Sequence, residues 1–139
     1  MTAVNKYELR FEKRPDYLLA EVESGQMNET TAREYLGKIA AKCSETGAEA
    51  VLIIRDVPVM LADGDLFDIT NYFLSLIGDR NVAFVNPHAE ISEDMEFAIR
   101  IGTNRGGMYH LFSTVEEAER WIHASSKRIE PAKNLSELS

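Results

Sequence analysis

Residues 50–54, Ala-Val-Leu-Ile-Ile, decide the fold of this chain. Every position is apolar, which predicts a strand covered on both faces, as in a parallel or mixed sheet. A loop begins at residue 55, and a helix over residues 65–77 ends at Gly78. The loop therefore follows a central strand, at the sheet edge where open α/β sheets place their ligand or partner sites.

The chain before this strand predicts a hairpin and a helix. Apolar and charged residues alternate over residues 7–12, which is typical of a half-buried strand, and residues 17–24 form its partner. Residues 29–46 carry one apolar stripe at helical spacing, with Asn28 as the N-cap and Gly47 as the helix stop.

The chain after the central helix continues the alternation of strands and helices. We predict strands over residues 82–85 and 108–112, a helix over residues 93–103 that is capped by Ser92, and a last helix capped by Thr114. The predicted order is ββαβαβαβα. Such an order predicts an α/β fold in which helices flank a mixed sheet.

Length and composition predict one soluble domain. The chain has 139 residues, and we place the domain at residues 1–124 and a mobile polar tail at residues 125–139. The 15 Lys and Arg against 23 Asp and Glu give a net charge of −8. A nucleic-acid-binding protein needs a basic face, so the charge argues against that class of partner.

Several functional classes lack their sequence signature. Cys43 is the single cysteine, so no intramolecular disulfide can form and a reducing cytoplasm is the expected location. The sequence shows no signal peptide, no apolar run long enough to span a membrane and no nucleotide-binding glycine motif. His88, His110 and His123 lack metal-ligand spacing, so we expect no metal and no cofactor.

The order of several local features resembles the STAS fold of the sporulation anti-sigma-factor antagonists. The chain looks most like the SpoIIAA-like group, which also carries a CRAL-TRIO lipid-binding resemblance. The features are the opening hairpin at residues 7–11 and 17–22, the strand at 51–56 leading to residues 65–68, and the ending at Phe97, 104–106, 111–113 and 116–122.

This resemblance implies a small non-enzymatic module that works by binding. In the antagonists an Asp-Ser-x-Gly pattern opens the helix after the buried strand, and phosphorylation of its serine switches off partner binding. The matching residues here are 61–64, Leu-Ala-Asp-Gly. Ala62 stands where the serine would be, and because it has no hydroxyl it cannot carry that phospho-switch.

The loop before the second helix is the first candidate site for a partner or ligand. Its residues are Met60, Leu61, Ala62, Asp63 and Gly64. Asp63, or Asp65 beyond it, could serve as a fixed negative charge in the position of a phosphate. The alternative is structural, with Asp65 as the helix cap and the two preceding residues shaping the turn.

The second helix is the stronger candidate. It has more apolar residues than one buried stripe needs, because Phe67, Tyr72 and Leu74 fall outside or at the edge of that stripe. This surplus indicates a partner face, a lipid-sized groove or dimerisation, or else a helix buried more deeply than average. The stripe itself comprises Leu66, Ile69, Thr70, Phe73, Leu76 and Ile77.

The turn at Asn104, Arg105 and Gly106 is a third candidate. Successive backbone N–H groups beside an arginine could bind an anion. The same residues also fit a helix stop with a tight connection to the next strand.

Three hypotheses of function follow. The first is a regulatory module without catalytic residues that binds a protein partner or itself through the second helix and preceding loop. The second is a carrier or sensor of a small apolar, lipid-like ligand held between the sheet and that helix. The third is an enzyme that uses Asp56, Asp63 and Asp65, although no activated nucleophile accompanies them.

Overall fold

A computed structural model describes residues 3–125, which form a five-stranded sheet flanked by helices. The strands are β1 (Glu8–Lys13), β2 (Leu18–Glu23), β3 (Ala50–Asp56), β4 (Asn81–Val85) and β5 (Met108–Phe112). The helices are α1 (Glu29–Thr46), α2 (Asp63–Ile77), α3 (Ser92–Asn104) and α4 over residues 115–125. The predicted order is confirmed, with one addition, a short 3₁₀ turn at Ala89–Ile91 before α3.

The sheet is mixed, as predicted, and its strands lie in chain order from β1 to β5. β1 pairs antiparallel with β2, and every later neighbour is parallel. Helices α1, α2 and α3 pack side by side on one face, the arrangement that right-handed crossovers between successive strands produce. On the other face, α4 buries Ala118 and Ile122.

Strand β3 is buried on both faces, which confirms the prediction from its apolar sequence. Val51 and Ile53 pack with the core under α1 and α2, whereas Ala50 and Leu52 pack with the residues of α4. Because side chains alternate along a strand, Arg55 lies on the face that α1 and α2 cover, and Asp56 lies on the face that α4 covers.

Helix α1 has the ends that its sequence predicts. The Asn28 side chain accepts a hydrogen bond from the Thr31 N–H at 2.8 Å, and Gly47 ends the helix with a φ of 73°. At the last helix, the Glu117 N–H donates to Thr114 Oγ1 at 3.3 Å, as a capping residue requires.

Two other helix starts differ from prediction. Helix α2 begins at Asp63, and its N-cap is Ala62, whose side chain makes no capping bond, so Asp65 is not the cap. Helix α3 begins at Ser92 and its N-cap is Ile91, because the preceding 3₁₀ turn runs directly into the helix.

The predicted mobile tail lies outside the described residues, except for residue 125, which is the last described residue of α4. Within residues 3–125, no helix is both long and apolar enough to cross a membrane.

Candidate functional site

An apolar pocket of about 60 Å³ lies between the sheet and the three helices that share one face. Tyr35 of α1, Phe73 of α2 and Ile99 of α3 line it from the helical side. Phe84 and Tyr109 line it from β4 and β5. The pocket therefore exists because α1, α2 and α3 meet over the same part of the sheet.

The predicted loop site is divided between this pocket and the surface. Met60 and Leu61 line the pocket. Ala62, Asp63 and Gly64 are exposed at the start of α2. The structure thus brings two of the five predicted loop residues to the concave site and places the other three in solvent.

The three apolar residues that α2 has in surplus have different environments. Phe67 is 42% exposed. Tyr72 packs toward α1, with the Arg33 guanidinium 4.8 Å from its ring centroid, and Leu74 packs against the core. Tyr72 and Leu74 therefore fit the alternative interpretation, in which the helix is more deeply buried than average. Phe67 does not, because its side chain lies at the surface.

The predicted core stripe of α2 is wrong at one residue, Leu76. Leu66, Ile69, Phe73 and Ile77 are buried, but Leu76 is exposed. At about 100° per residue, Leu76 lies about 80° around the helix from Leu66. It therefore lies at the edge of the stripe, beyond the cover of the sheet and neighbouring helices.

The turn after α3 uses its backbone amides to end the helix. The Arg105 and Gly107 N–H groups donate to the Gly102 carbonyl at 3.1 and 2.9 Å, and the Gly106 N–H donates to the Thr103 carbonyl at 3.1 Å. These bonds favour the helix-stop interpretation, because amides already paired with carbonyls are not available to an anion.

Exposed apolar side chains lie on α2 and on the loop before it. Val59, Phe67 and Leu76 are exposed. Phe67 and Leu76 are nine residues apart and therefore lie about 180° apart around the helix, so we use the term α2 surface for the side of α2 that carries Phe67. The Arg105 guanidinium lies 4.4 Å from the centroid of the Phe67 ring, in cation–π geometry. The side chain of the predicted anion turn thus contacts the predicted partner helix.

Arg55 is a site residue that the sequence analysis missed. It is 5% exposed and lines the pocket. Its Nη1 and Nη2 groups donate to the Val57 and Val59 carbonyls at 3.1 and 2.7 Å, which ties down the loop before α2. Strand alternation could have found it, because Arg55 follows Val51 and Ile53 on the same face of β3.

Tyr109 is the second missed residue. It is 3% exposed, its ring centroid lies 6.1 Å from that of Phe73 and 5.9 Å from that of Phe84, and it lines the pocket. Within residues 3–125, its hydroxyl is the buried side-chain polar atom without a hydrogen-bond partner. Burial raises the pKa of this hydroxyl well above its ordinary value, so it stays protonated.

The carboxylates of the enzyme hypothesis lie on different elements. Asp56 ends β3 on the face that α4 covers, where its Oδ1 lies 2.7 Å from His88 Nε2. Asp63 and Asp65 belong to the first turn of α2, on the other face. Among the described residues, no group of three or more His, Cys, Asp or Glu could hold a metal ion.

Cys43 is buried in the core under α1, as its place on the apolar stripe predicts. Burial raises the pKa of its thiol to about 11. A thiol that is protonated at neutral pH and packed in the core is a poor nucleophile.

Comparison with known proteins identifies the fold. No protein-family model matches the sequence, and no curated protein matches it. An anti-sigma factor antagonist from Mycobacterium paratuberculosis is similar in structure, with a TM-score of 0.54 and 14% identity over 88% of this chain and 99% of that one. An uncharacterized Shewanella loihica protein with a SpoIIAA-like fold has a TM-score of 0.50 and 16% identity over 88% and 98%.

The fold is SpoIIAA-like. The resemblance stated from the order of local sequence features is therefore confirmed at the level of the fold. Within this SpoIIAA-like fold, the chain exposes Phe67 on α2 and has an apolar pocket whose wall includes Arg55 and Tyr109.

Proposed function

We propose that this chain is a regulatory binding module without catalytic activity, which associates with a protein partner or a second copy of itself through the α2 surface. The observation that carries the proposal is Phe67, a large aromatic residue that is 42% exposed on α2. Aromatic side chains dominate the binding energy of many protein interfaces. The similar structure named as an anti-sigma factor antagonist supports a protein as the partner.

The surroundings of Phe67 support the same surface. Arg105 lies over its ring, and arginine and aromatic residues are both enriched at interfaces. The bond from Arg55 to the Val59 carbonyl holds the neighbouring loop in place. A loop ordered before binding lowers the entropic cost of association.

The proposed association does not depend on phosphorylation at the start of α2. The resemblance to the antagonists assigns their serine position to Ala62, which here is the exposed N-cap of α2. An alanine offers no hydroxyl to a kinase. We therefore propose that binding is regulated by the concentration or state of the partner rather than by a phosphate on this residue.

Replacement of Phe67 by aspartate tests the proposed surface. If the chain associates with itself, we expect Phe67→Asp to abolish this association in sedimentation velocity. If it binds another protein, the variant should no longer capture that partner in a crosslinking experiment. The reason is that a charge at the centre of an apolar contact must be desolvated when the interface forms. The temperature of thermal unfolding should not change in either case.

Met108→Asp is the matched control, because Met108 is also apolar and is 51% exposed on β5, away from α2. The control variant should associate as the wild type does. Equal association by Phe67→Asp and the wild type would contradict the proposal, and equal loss in both variants would assign the effect to added charge alone.

The pocket favours a second candidate function, the carriage or sensing of a small apolar ligand. It lies between the sheet and α2, where this hypothesis expects it. Its volume of about 60 Å³ is well below the ~300 Å³ of an ordinary small-molecule site, so the ligand must be small or the pocket must widen. Native mass spectrometry after gentle purification should show an added mass, and a consistently ligand-free mass would count against this function.

A further inference from the structure

We propose that the pocket binds a carboxylate on a short unbranched apolar chain, with the carboxylate held by Arg55 and Tyr109. This inference rests on the second candidate function and specifies the chemistry of its ligand. Its basis is that two buried polar residues line one apolar pocket: Arg55, which carries a positive charge, and Tyr109, whose hydroxyl has no hydrogen-bond partner.

Arg55 provides the positive charge. A guanidinium has five N–H donors and stays protonated, and the structure shows two bonds from Arg55, both to neutral carbonyls. Among residues 3–125, no carboxylate oxygen lies within 4.0 Å of a side-chain nitrogen of Arg55, the distance that defines an ion pair. A buried charge without a counter-ion is unfavourable, and a carboxylate matches the geometry of the guanidinium.

Tyr109 provides a second donor. Its hydroxyl is buried, protonated and unpaired, and an unpaired buried hydroxyl is itself destabilising. A carboxylate oxygen in the pocket would accept this hydrogen bond. One cation and one neutral donor suit a monoanion, which favours a carboxylate over a doubly charged phosphate.

The remaining wall suits an apolar chain that can vary in length. Leu36, Ile69 and Phe73 line the pocket, together with three of the five methionines of the sequence: Met27, Met60 and Met95. Methionine is unbranched and adaptable, so changes of its rotamers can widen a cavity at little cost. These side chains allow the present small volume to accept a chain of several carbons.

The test is an NMR titration of the full-length protein, labelled with ¹³C at the methionine methyl groups, with sodium hexanoate or with 1-hexanol. We expect hexanoate to shift the signals of Met27, Met60 and Met95 and to leave that of Met108, which lies outside the pocket. Hexanol has the same chain length without the charge. It should bind at least about ten-fold more weakly, because a hydrogen bond to a charged group strengthens binding by about that factor.

Tyr109→Phe is the key variant, because it keeps the ring and removes a hydroxyl that the ligand-free protein does not use. We expect it to fold normally, to weaken hexanoate binding about ten-fold and to weaken hexanol binding by less, because a neutral hydroxyl oxygen accepts a weaker hydrogen bond than a carboxylate does. Arg55→Met should abolish the preference for hexanoate. Tyr17→Phe, which removes a hydroxyl bonded to Glu119 of α4 on the other face of the sheet, should bind as the wild type does.

The outcomes separate this inference from the function on which it rests. Equal binding of hexanoate and hexanol, or unchanged hexanoate binding by Tyr109→Phe, would overturn the carboxylate assignment and leave an apolar ligand site. Absence of shifts at the pocket methionines with both compounds would overturn the carboxylate site and count against the ligand-carrying function.

Discussion

At the scale of the residue, the contact between Gly102 and Tyr109 determines how α3 meets β5. A Cβ at Gly102 would lie 2.3 Å from Tyr109 Cδ2, which is closer than two such atoms can approach. The ring cannot move easily, because Phe73 and Phe84 pack around it. The glycine is therefore required by the space that the tyrosine occupies.

We predict that Gly102→Ala lowers the free energy of unfolding by about 1–3 kcal/mol, the usual cost of overpacking a core. Gly64→Ala is the matched control, since a Cβ added there would meet nothing within 4 Å and the φ of Gly64 is not positive. It should raise stability by about 0.5 kcal/mol through helix propensity. Urea denaturation of both variants measures the difference, and two changes of the same sign would contradict this account.

At the scale of the element, α1 and α2 begin in different ways. Asn28 caps α1 through its side chain, whereas the N-cap of α2 is an alanine that leaves the first amides of the helix without a side-chain acceptor. Asp63 and Asp65 in the first turn of α2 offset part of this deficit through the helix dipole. The start of the proposed partner helix is thus less well stabilised than it could be.

We predict that Ala62→Ser raises the free energy of unfolding by about 1 kcal/mol, since a serine at an N-cap accepts a bond from a free amide. The backbone at Ala62 is extended, as a capping residue requires. Asn28→Ala, which removes an existing cap, should lower stability by about the same amount. Equal or lower stability of Ala62→Ser in chemical denaturation would show that α2 does not begin where the structure places it.

At the scale of the whole molecule, burial couples folding to pH in the alkaline range. The pKa of Cys43 is raised from 9.0 to about 11 by burial, and that of Tyr17 from 10.0 to about 12 by burial and its bond to Glu119. Both groups are neutral below their ordinary pKa values. Above those values the unfolded chain loses the protons first, so ionisation favours unfolding.

We predict that stability, measured as the urea midpoint, is independent of these groups below about pH 9 and declines as pH rises through about 11 and 12. Tyr17→Phe removes one of the titrating groups, so its midpoint should decline less than that of the wild type between pH 10 and 12. A midpoint that stays constant up to pH 12, or an equal decline in the two proteins, would contradict the assignment.

Part of the candidate site could be predicted from the sequence. The sequence singled out Met60 and Leu61, which line the pocket, and Phe67, which is exposed. Tyr72 and Leu76 show the limit, because the first packs toward α1 and the second is exposed. Helical periodicity predicts the direction in which each side chain of a helix points. It does not predict which other elements lie in that direction, and those elements decide whether the side chain is buried.

The sequence by itself determined the order of strands and helices, the burial of β3 and the ends of α1, because periodicity and capping are local properties of the chain. Tertiary structure decided which residues share the pocket. Arg55 and Tyr109 are far apart in the chain and line the same pocket because of the order of the sheet and the packing of three helices over it. That packing depends on contacts between distant segments, which no local pattern records.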